Sequence, residues 1–111
     1  MPTVDISYQK KSEFDALVPV SPMLRAYIAD VLTCQSFKLT PEEVSMRFMQ
    51  VDGAGCMMNN VNIDITAHAF PERVEKQDKI CHDISDYLRK EVPSVGEVKV
   101  WLRLCQLGHN V

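Results

Sequence analysis

The sequence lacks the features that mark nucleic-acid-binding and membrane proteins. No basic run is longer than the pair Lys10 and Lys11, and the formal net charge is −3. Proteins that bind a polyphosphate backbone usually carry a basic patch, so we expect no nucleic-acid partner. No apolar run approaches the length needed to cross a bilayer, so we expect no membrane partner either.

Secretion and metal-binding signals are missing as well. The amino terminus reads Met1-Pro2-Thr3-Val4-Asp5, with neither a basic patch nor an apolar segment, and we therefore expect a cytoplasmic protein. The four cysteines include no Cys-x-x-Cys pair and no neighbouring histidine at zinc-ligand spacing. We interpret them as reduced thiols, and we expect no metal or organic cofactor.

What is present fits one globular domain covering residues 1–111. Hydrophobic residues make up 46% of the chain and charged residues 24%, which is ordinary for a globular protein. A chain of this length can bury a core without disulfides or metals.

Four segments alternate between apolar and polar residues, which predicts half-buried β-strands. One face of each strand is apolar and suits a covering of helices. The other face is mixed and includes Arg47, Trp101 and Arg103. Met49 and Trp101 would be poorly placed in water, which indicates that a partner subunit covers this mixed face. The strands are predicted at 3–8, 43–51, 61–69 and about 97–105.

Two helices are predicted, one within each pair of strands. The first begins with Ser21 as its N-cap and Pro22 at its first helical position, followed by apolar residues at helical spacing. The second begins at Pro71, and its apolar stripe includes Val74. The segment 10–20 is interpreted as a connector with one helical turn.

The predicted order is β-α-β followed by β-α-β, with structural repeats at about 2–51 and 61–105. This order predicts an α+β fold in which two helices cover one face of a four-stranded mixed sheet. The same order also describes ferredoxin-like domains, which bind small effectors or RNA. RNA recognition by such a sheet needs exposed aromatic residues and a basic field, whereas Trp101 is the one aromatic residue on the mixed face.

Four features then occur together: Pro2 directly after Met1, a doubled β-α-β unit of this size, Arg47 in the second strand, and Trp101-x-Arg103 in the last strand. With these features the chain resembles the tautomerase superfamily. It is most similar to the 5-carboxymethyl-2-hydroxymuconate isomerase branch and more distantly similar to macrophage migration inhibitory factor. Further matching segments are Val51-Asp52-Gly53 and Ile63-Asp64-Ile65, followed by Arg73 and Gln77-Asp78.

The resemblance implies a cofactor-independent isomerase that assembles as a homotrimer, with active sites near the subunit boundaries. Pro2 would be the catalytic base once Met1 is removed. Arg47, Arg103 and Trp101 would bind the substrate, a small carboxylated enol or 2-hydroxydienoate. Relatives also include hydratases, dehalogenases and proteins without activity, so a non-catalytic small-molecule-binding or assembly module of the same or a ferredoxin-like fold is the alternative.

The chemistry explains why these residue types suit the reaction. A free proline nitrogen is a secondary amine with a lone pair, and it can take a proton and return it elsewhere on the substrate. Burial and nearby cations disfavour its charged form and lower its pKa toward neutrality. Arg47 and Arg103 could supply those cations and also hold a substrate carboxylate.

Overall fold

The computed structural model describes residues 2–35, 37–51 and 60–106. These residues contain four strands, four α-helices and three short 3₁₀ turns. The strands are β1 (Thr3–Tyr8), β2 (Ser45–Gln50), β3 (Val61–His68) and β4 (Val98–Cys105). The α-helices are α1 (Lys11–Leu17), α2 (Ser21–Leu32), α3 (Pro71–Glu75) and α4 (Gln77–Glu91).

The strands form one mixed sheet in the order β2-β1-β3-β4. β1 and β2 are parallel, β3 and β4 are parallel, and the central pair β1 and β3 is antiparallel. The predicted α+β fold class is confirmed. Because β1 and β2 are direct neighbours, the arrangement differs from the ferredoxin-like fold, whose β-α-β units are split by an intervening strand.

The apolar face of the sheet packs against α2 and α4. Its central side chains, Val4, Ile6, Ile63 and Ile65, are at most 1% exposed. Burying each such side chain stabilises the fold by about 1.5–3 kcal/mol before the loss of conformational entropy is counted. The helices contribute Leu24, Ile28 and Leu32 from α2, and Ile80, Ile84 and Leu88 from α4.

Helix α1 corrects the expectation of a connector with a single turn. The Glu13 carboxylate accepts hydrogen bonds from the backbone N–H groups of Gln9 and Lys10, at 2.9 and 2.8 Å, and so stabilises the start of the helix. A 3₁₀ turn, Val18–Val20, then leads directly into α2. Ser21 is therefore not an N-cap as predicted, and its hydroxyl instead donates to the carbonyl of Val18 at 2.8 Å.

The helix predicted from Pro71 is interrupted at Lys76 and is observed as α3 and α4. The Val74 side chain is 52% exposed, so its assignment to the buried stripe was wrong. The reason is the neighbouring residue, because Arg73 turns inward and is 3% exposed. With Arg73 directed into the structure, the next side chain of this short helix points outward.

The structure describes three of the four cysteines. Cys34, Cys81 and Cys105 are free, as predicted, and Cys56 lies outside the described residues. Within the ranges that the structure describes, no helix is long and apolar enough to cross a membrane.

Candidate active site at the amino-terminal proline

Pro2 is buried immediately before β1, at the end of the sheet where β1 and β2 begin and β3 and β4 end. We call this end the Pro2 end. The Pro2 carbonyl accepts a hydrogen bond from the Ser45 N–H at 3.0 Å. On the other side, β1 pairs with β3 through Thr3 and Thr66, and continuing this register places Pro2 opposite Ala67. Pro2 is thus held between two strands.

A buried arginine lies close to the same end. Arg73 donates from Nε to the Leu32 carbonyl at 2.9 Å and from Nη1 to the His68 carbonyl at 3.1 Å. Its guanidinium carbon lies 4.9 Å from the centre of the Phe70 ring. Burial lowers the pKa of Arg73, with an opposing contribution from Cys34. Because His68 follows Ala67, this cation lies near the strand position opposite Pro2.

The other predicted site residues lie on the face of the sheet turned away from the helices, which we call the open face. Its first row, nearest Pro2, runs Ser45–Thr3–Thr66–Arg103 across the four strands. Its second row runs Arg47–Asp5–Asp64–Trp101. Arg103 therefore lies one row closer to the Pro2 end than Arg47 and Trp101 do.

Arg47 has a partner that the sequence did not identify. Its Nε lies 2.5 Å from Asp5 Oδ1, and its Nη2 lies 3.4 Å from Asp5 Oδ2. Hydrogen bonding to Asp5 raises the pKa of Arg47. The Arg47 side chain is 71% exposed, so this ion pair contributes little to stability. Its main consequence is that a carboxylate already occupies one side of the guanidinium.

One chain does not bring all of the predicted binding residues together. Arg47 lies on β2 and Arg103 on β4, at opposite edges of the sheet and one row apart, so three strand spacings of about 4.8 Å put their backbones at least about 14 Å apart. Trp101, also on β4, is 62% exposed. Trp101 also lines a cavity of about 330 Å³ at the β4 edge together with His82 and Arg89.

The sequence did not identify Asp5 or Arg25 as site residues, and Arg73 was named only as part of the resemblance, without its buried position. The alternation of β1 does place Asp5 on the same face as Arg47, but only the register shows that the two are adjacent. Arg25 lies on α2 beside the β2 edge, and no pattern in the sequence marks it. Among the described residues, no group of three or more His, Cys, Asp or Glu side chains could hold a metal ion.

The architecture defines a class of protein at the level of the fold. Two β-α-β units are joined through an antiparallel central strand pair, and the first unit begins with a buried proline. This arrangement is the fold of tautomerases and of macrophage migration inhibitory factor. The chain has this fold.

Solved structures with the same fold include malonate semialdehyde decarboxylase, with a TM-score of 0.61, 12% identity and coverage of 100% of this chain and 92% of that one. A macrophage migration inhibitory factor-like protein from Entamoeba histolytica gives a TM-score of 0.57 at 11% identity, covering 98% and 95%. W0, a fused 4-OT forming a symmetric trimer, gives 0.54 at 8% identity, covering 94% and 87%. Such identities establish the fold alone.

No protein-family model matches the sequence, and no curated protein matches it significantly.

Proposed function

We propose that this protein is a cofactor-independent tautomerase that converts a small carboxylated enol or 2-hydroxydienoate to its keto form, with Pro2 as the base once Met1 is removed. The observation that carries the proposal is a buried proline at the start of β1 in a tautomerase fold. Within this fold we favour the 5-carboxymethyl-2-hydroxymuconate isomerase type of substrate because of the sequence resemblance.

The structural relatives support an enzymatic interpretation. One is a decarboxylase with a hydratase activity, and its solved forms include an inactivated form and a variant whose first residue, a proline, is replaced by alanine. Another is a 4-OT protein. Their chemistry belongs to those proteins, and it makes acid–base chemistry at Pro2 the first activity to test here.

In the proposed reaction, the Pro2 nitrogen takes the hydroxyl proton of the enol while the carbon–carbon double bond shifts to form the carbonyl. The same proton is then delivered to the carbon, so the amine returns to its neutral form and no other reactant is consumed. The amine must be largely unprotonated at neutral pH. Burial disfavours the charged form of an amine, and Pro2 is buried, which supports this role.

The substrate carboxylate would be bound by Arg47 and Arg103, with Trp101 forming a wall that excludes water. Because these residues lie at opposite sheet edges within one chain, the proposed site draws Arg47 from one subunit and the β4 residues from another. A homotrimer would provide such boundaries, and the symmetric trimer formed by W0 supports it. The exposed Trp101 and Met49 side chains are consistent with a covered face.

The test is an ultraviolet assay of enol-to-keto conversion of a carboxylated enol by the mature protein. Pro2→Ala should lower kcat/KM at least a hundredfold, because a primary amine differs in basicity and lacks the fixed ring. Pro93→Ala, which alters an exposed proline in the turn before β4, is the matched control and should remain active. Native mass spectrometry should show the same trimer for both variants. Full activity of Pro2→Ala would refute the proposed base.

A non-catalytic module of the same fold is the second candidate. The ion pair of Arg47 with Asp5 favours it, since a neutralised arginine binds a carboxylate less strongly. This candidate predicts no acceleration by the mature protein together with an intact trimer.

A further inference from the structure

A cavity of about 390 Å³ lies between the first turn of α2 and the outer edge of β2. It is on the side of the sheet that faces the helices, away from the row containing Arg47 and Asp5. Its size falls in the range of small-molecule sites. The cavity is lined by Ser21, Pro22, Arg25, Ser45, Met46 and Phe48.

Arg25 is held in a fixed orientation in this cavity. Its Nε donates to the Val44 carbonyl at 2.7 Å, and its Nη2 donates to the Glu42 carbonyl at 3.3 Å. A guanidinium has five N–H groups in a rigid plane, so two anchored bonds fix the direction of the others. The N–H groups that remain include one on each Nη, and this end-on pair matches the two oxygens of a carboxylate.

Arg25 also differs from Arg47 in its electrostatic environment. In the part of the chain that the structure describes, the ion pairs are Arg47 with Asp5, Lys79 with Asp83 and Lys99 with Glu97. No acidic side chain pairs with Arg25 there. A half-buried, oriented and uncompensated cation on a cavity wall favours an anionic ligand.

The β2 edge adds backbone donors to the same cavity. The N–H groups of Ser45 and Val51 point toward β1, where they bond to the carbonyls of Pro2 and Tyr8. Alternation along the strand therefore turns the N–H groups of Met46 and Phe48 outward, away from β1. The side chains of these two residues line the cavity together with Pro22, which gives it an apolar part beside the cation.

We propose that this cavity binds a small organic monocarboxylate. Arg25 binds the carboxylate through its end-on N–H pair, with the Met46 N–H as a further donor. Pro22, Met46 and Phe48 contact a short hydrocarbon body. The combination of one cation and a small apolar wall selects a monoanion with a few carbon atoms over a polyanion.

The site is separate from Pro2, and the proposal does not rest on the proposed function. The peptide group between Val44 and Ser45 donates its N–H to Pro2 and accepts from Arg25 at its carbonyl. All peptide bonds of the described chain are trans, so these two groups point in opposite directions. The β2 backbone therefore lies between the Arg25 cavity and Pro2.

The test is a titration of the ¹⁵N-labelled full chain with sodium butyrate, followed by amide chemical shifts, with butyramide as the uncharged isostere. Butyrate should saturate in the millimolar range, as expected for a ligand of this size, with the largest shifts at Ser45, Met46 and Phe48. Butyramide should bind at least tenfold more weakly. Arg25→Gln should weaken butyrate binding at least tenfold, and Arg89→Gln, at the opposite edge, should leave it unchanged.

Non-saturating shifts, shifts centred on Thr3 and Thr66, or equal binding of butyrate and butyramide would each overturn the proposal. So would unchanged butyrate affinity in a folded Arg25→Gln protein, which would make Arg25 only a cap for the β2 edge. If Arg25→Gln does not fold, Arg25→Lys keeps the charge but loses the paired geometry, and a several-fold weaker affinity is then expected.

Discussion

Asp5 and Arg47 face each other across β1 and β2 on the open face, with Arg47 Nε 2.5 Å from Asp5 Oδ1. Asp64 lies directly opposite Asp5 on β3, so two carboxylates are neighbours beside this ion pair. Like charges directly opposite on a sheet are destabilising, which gives Arg47 a role in the fold as well as in the proposed site. A substrate carboxylate at Arg47 must therefore compete with Asp5.

Asp5→Asn should strengthen binding of carboxylated substrates. Replacing the Asp5 carboxylate by an amide leaves Arg47 uncompensated and removes the repulsion with Asp64. We expect KM for a carboxylated enol to fall about two- to fivefold with little change in kcat, since the interaction serves binding in the ground state. Steady-state kinetics measure both constants. A higher KM would show that Asp5 positions Arg47 for the substrate and does not compete with it.

Arg47→Ala should have the opposite effect. Loss of a charge-assisted hydrogen bond to the carboxylate should raise KM about tenfold for a carboxylated enol. An enol without a carboxylate should show little change, because it offers no group for Arg47 to bind. Equal effects on both substrates would mean that Arg47 acts only through its ion pair with Asp5.

A hydrogen bond between Glu13 and Asn60 connects α1 to the start of β3, and its loss should lower the stability of the fold. The Asn60 amide donates to Glu13 Oε2 at 3.1 Å, and Asn60 Oδ1 accepts from the Glu97 N–H at 2.9 Å. Glu13 is 5% exposed, so Glu13→Ala would remove the acceptor of three partly buried hydrogen bonds and should cost about 2–3 kcal/mol of unfolding free energy. Urea denaturation measures this free energy.

Exposed Glu75 offers the matched control, and Glu75→Ala should change the unfolding free energy by less than about 0.5 kcal/mol. Gly96→Ala is a second test of the hydrogen bonds made by Glu13 and Asn60. Its φ is +86°, and an added Cβ would lie 2.5 Å from Asn60 Oδ1, so Gly96→Ala should also destabilise the fold. If Glu13→Ala behaved like Glu75→Ala, the network would not be holding α1 in place.

Alkaline pH should weaken the fold through Cys81. Burial, assisted by Asp78, raises the pKa of the Cys81 thiol above its ordinary value of 9.0. Between the unfolded and folded pKa values the unfolded chain loses the proton first, so the native state binds more protons and stability falls as pH rises. The contribution is fully present below about pH 9 and is lost above it.

Urea midpoints at pH 7 and pH 9.5 measure this effect. The decrease between the two should be smaller in Cys81→Ala than in the unmodified protein. Ser85→Ala, one turn further along α4, is the control and should retain the full decrease. An identical decrease in all three proteins would assign the alkaline effect to other groups.

Much of the fold could be predicted because local patterns determine it. All four strands were found from alternation, since the sheet has one buried face and a period of two. Helix α1 was predicted only as a single turn because a short apolar pattern marks it, and its start depends on the Glu13 side chain folding back onto Gln9 and Lys10. The break at Lys76 likewise depends on tertiary bonds of Arg73.

The candidate site could be predicted only as a set of residue types. Alternation placed Arg47, Trp101 and Arg103 on one face, and the structure has them there. Their separation across the sheet follows from strand order, which alternation does not encode. The pairing of Arg47 with Asp5 follows from register, which is set by the packing of the whole sheet. Charge patterns along the chain carry neither kind of information.

The central claim is that the free Pro2 nitrogen is the base. The most direct test compares two samples of the unmodified sequence in the enol-to-keto assay, certified by intact mass as starting at Pro2 or as retaining Met1. With Met1 attached, the Pro2 nitrogen is an amide without a basic lone pair. Only the sample starting at Pro2 should accelerate the conversion. Equal acceleration by both samples would contradict the central claim.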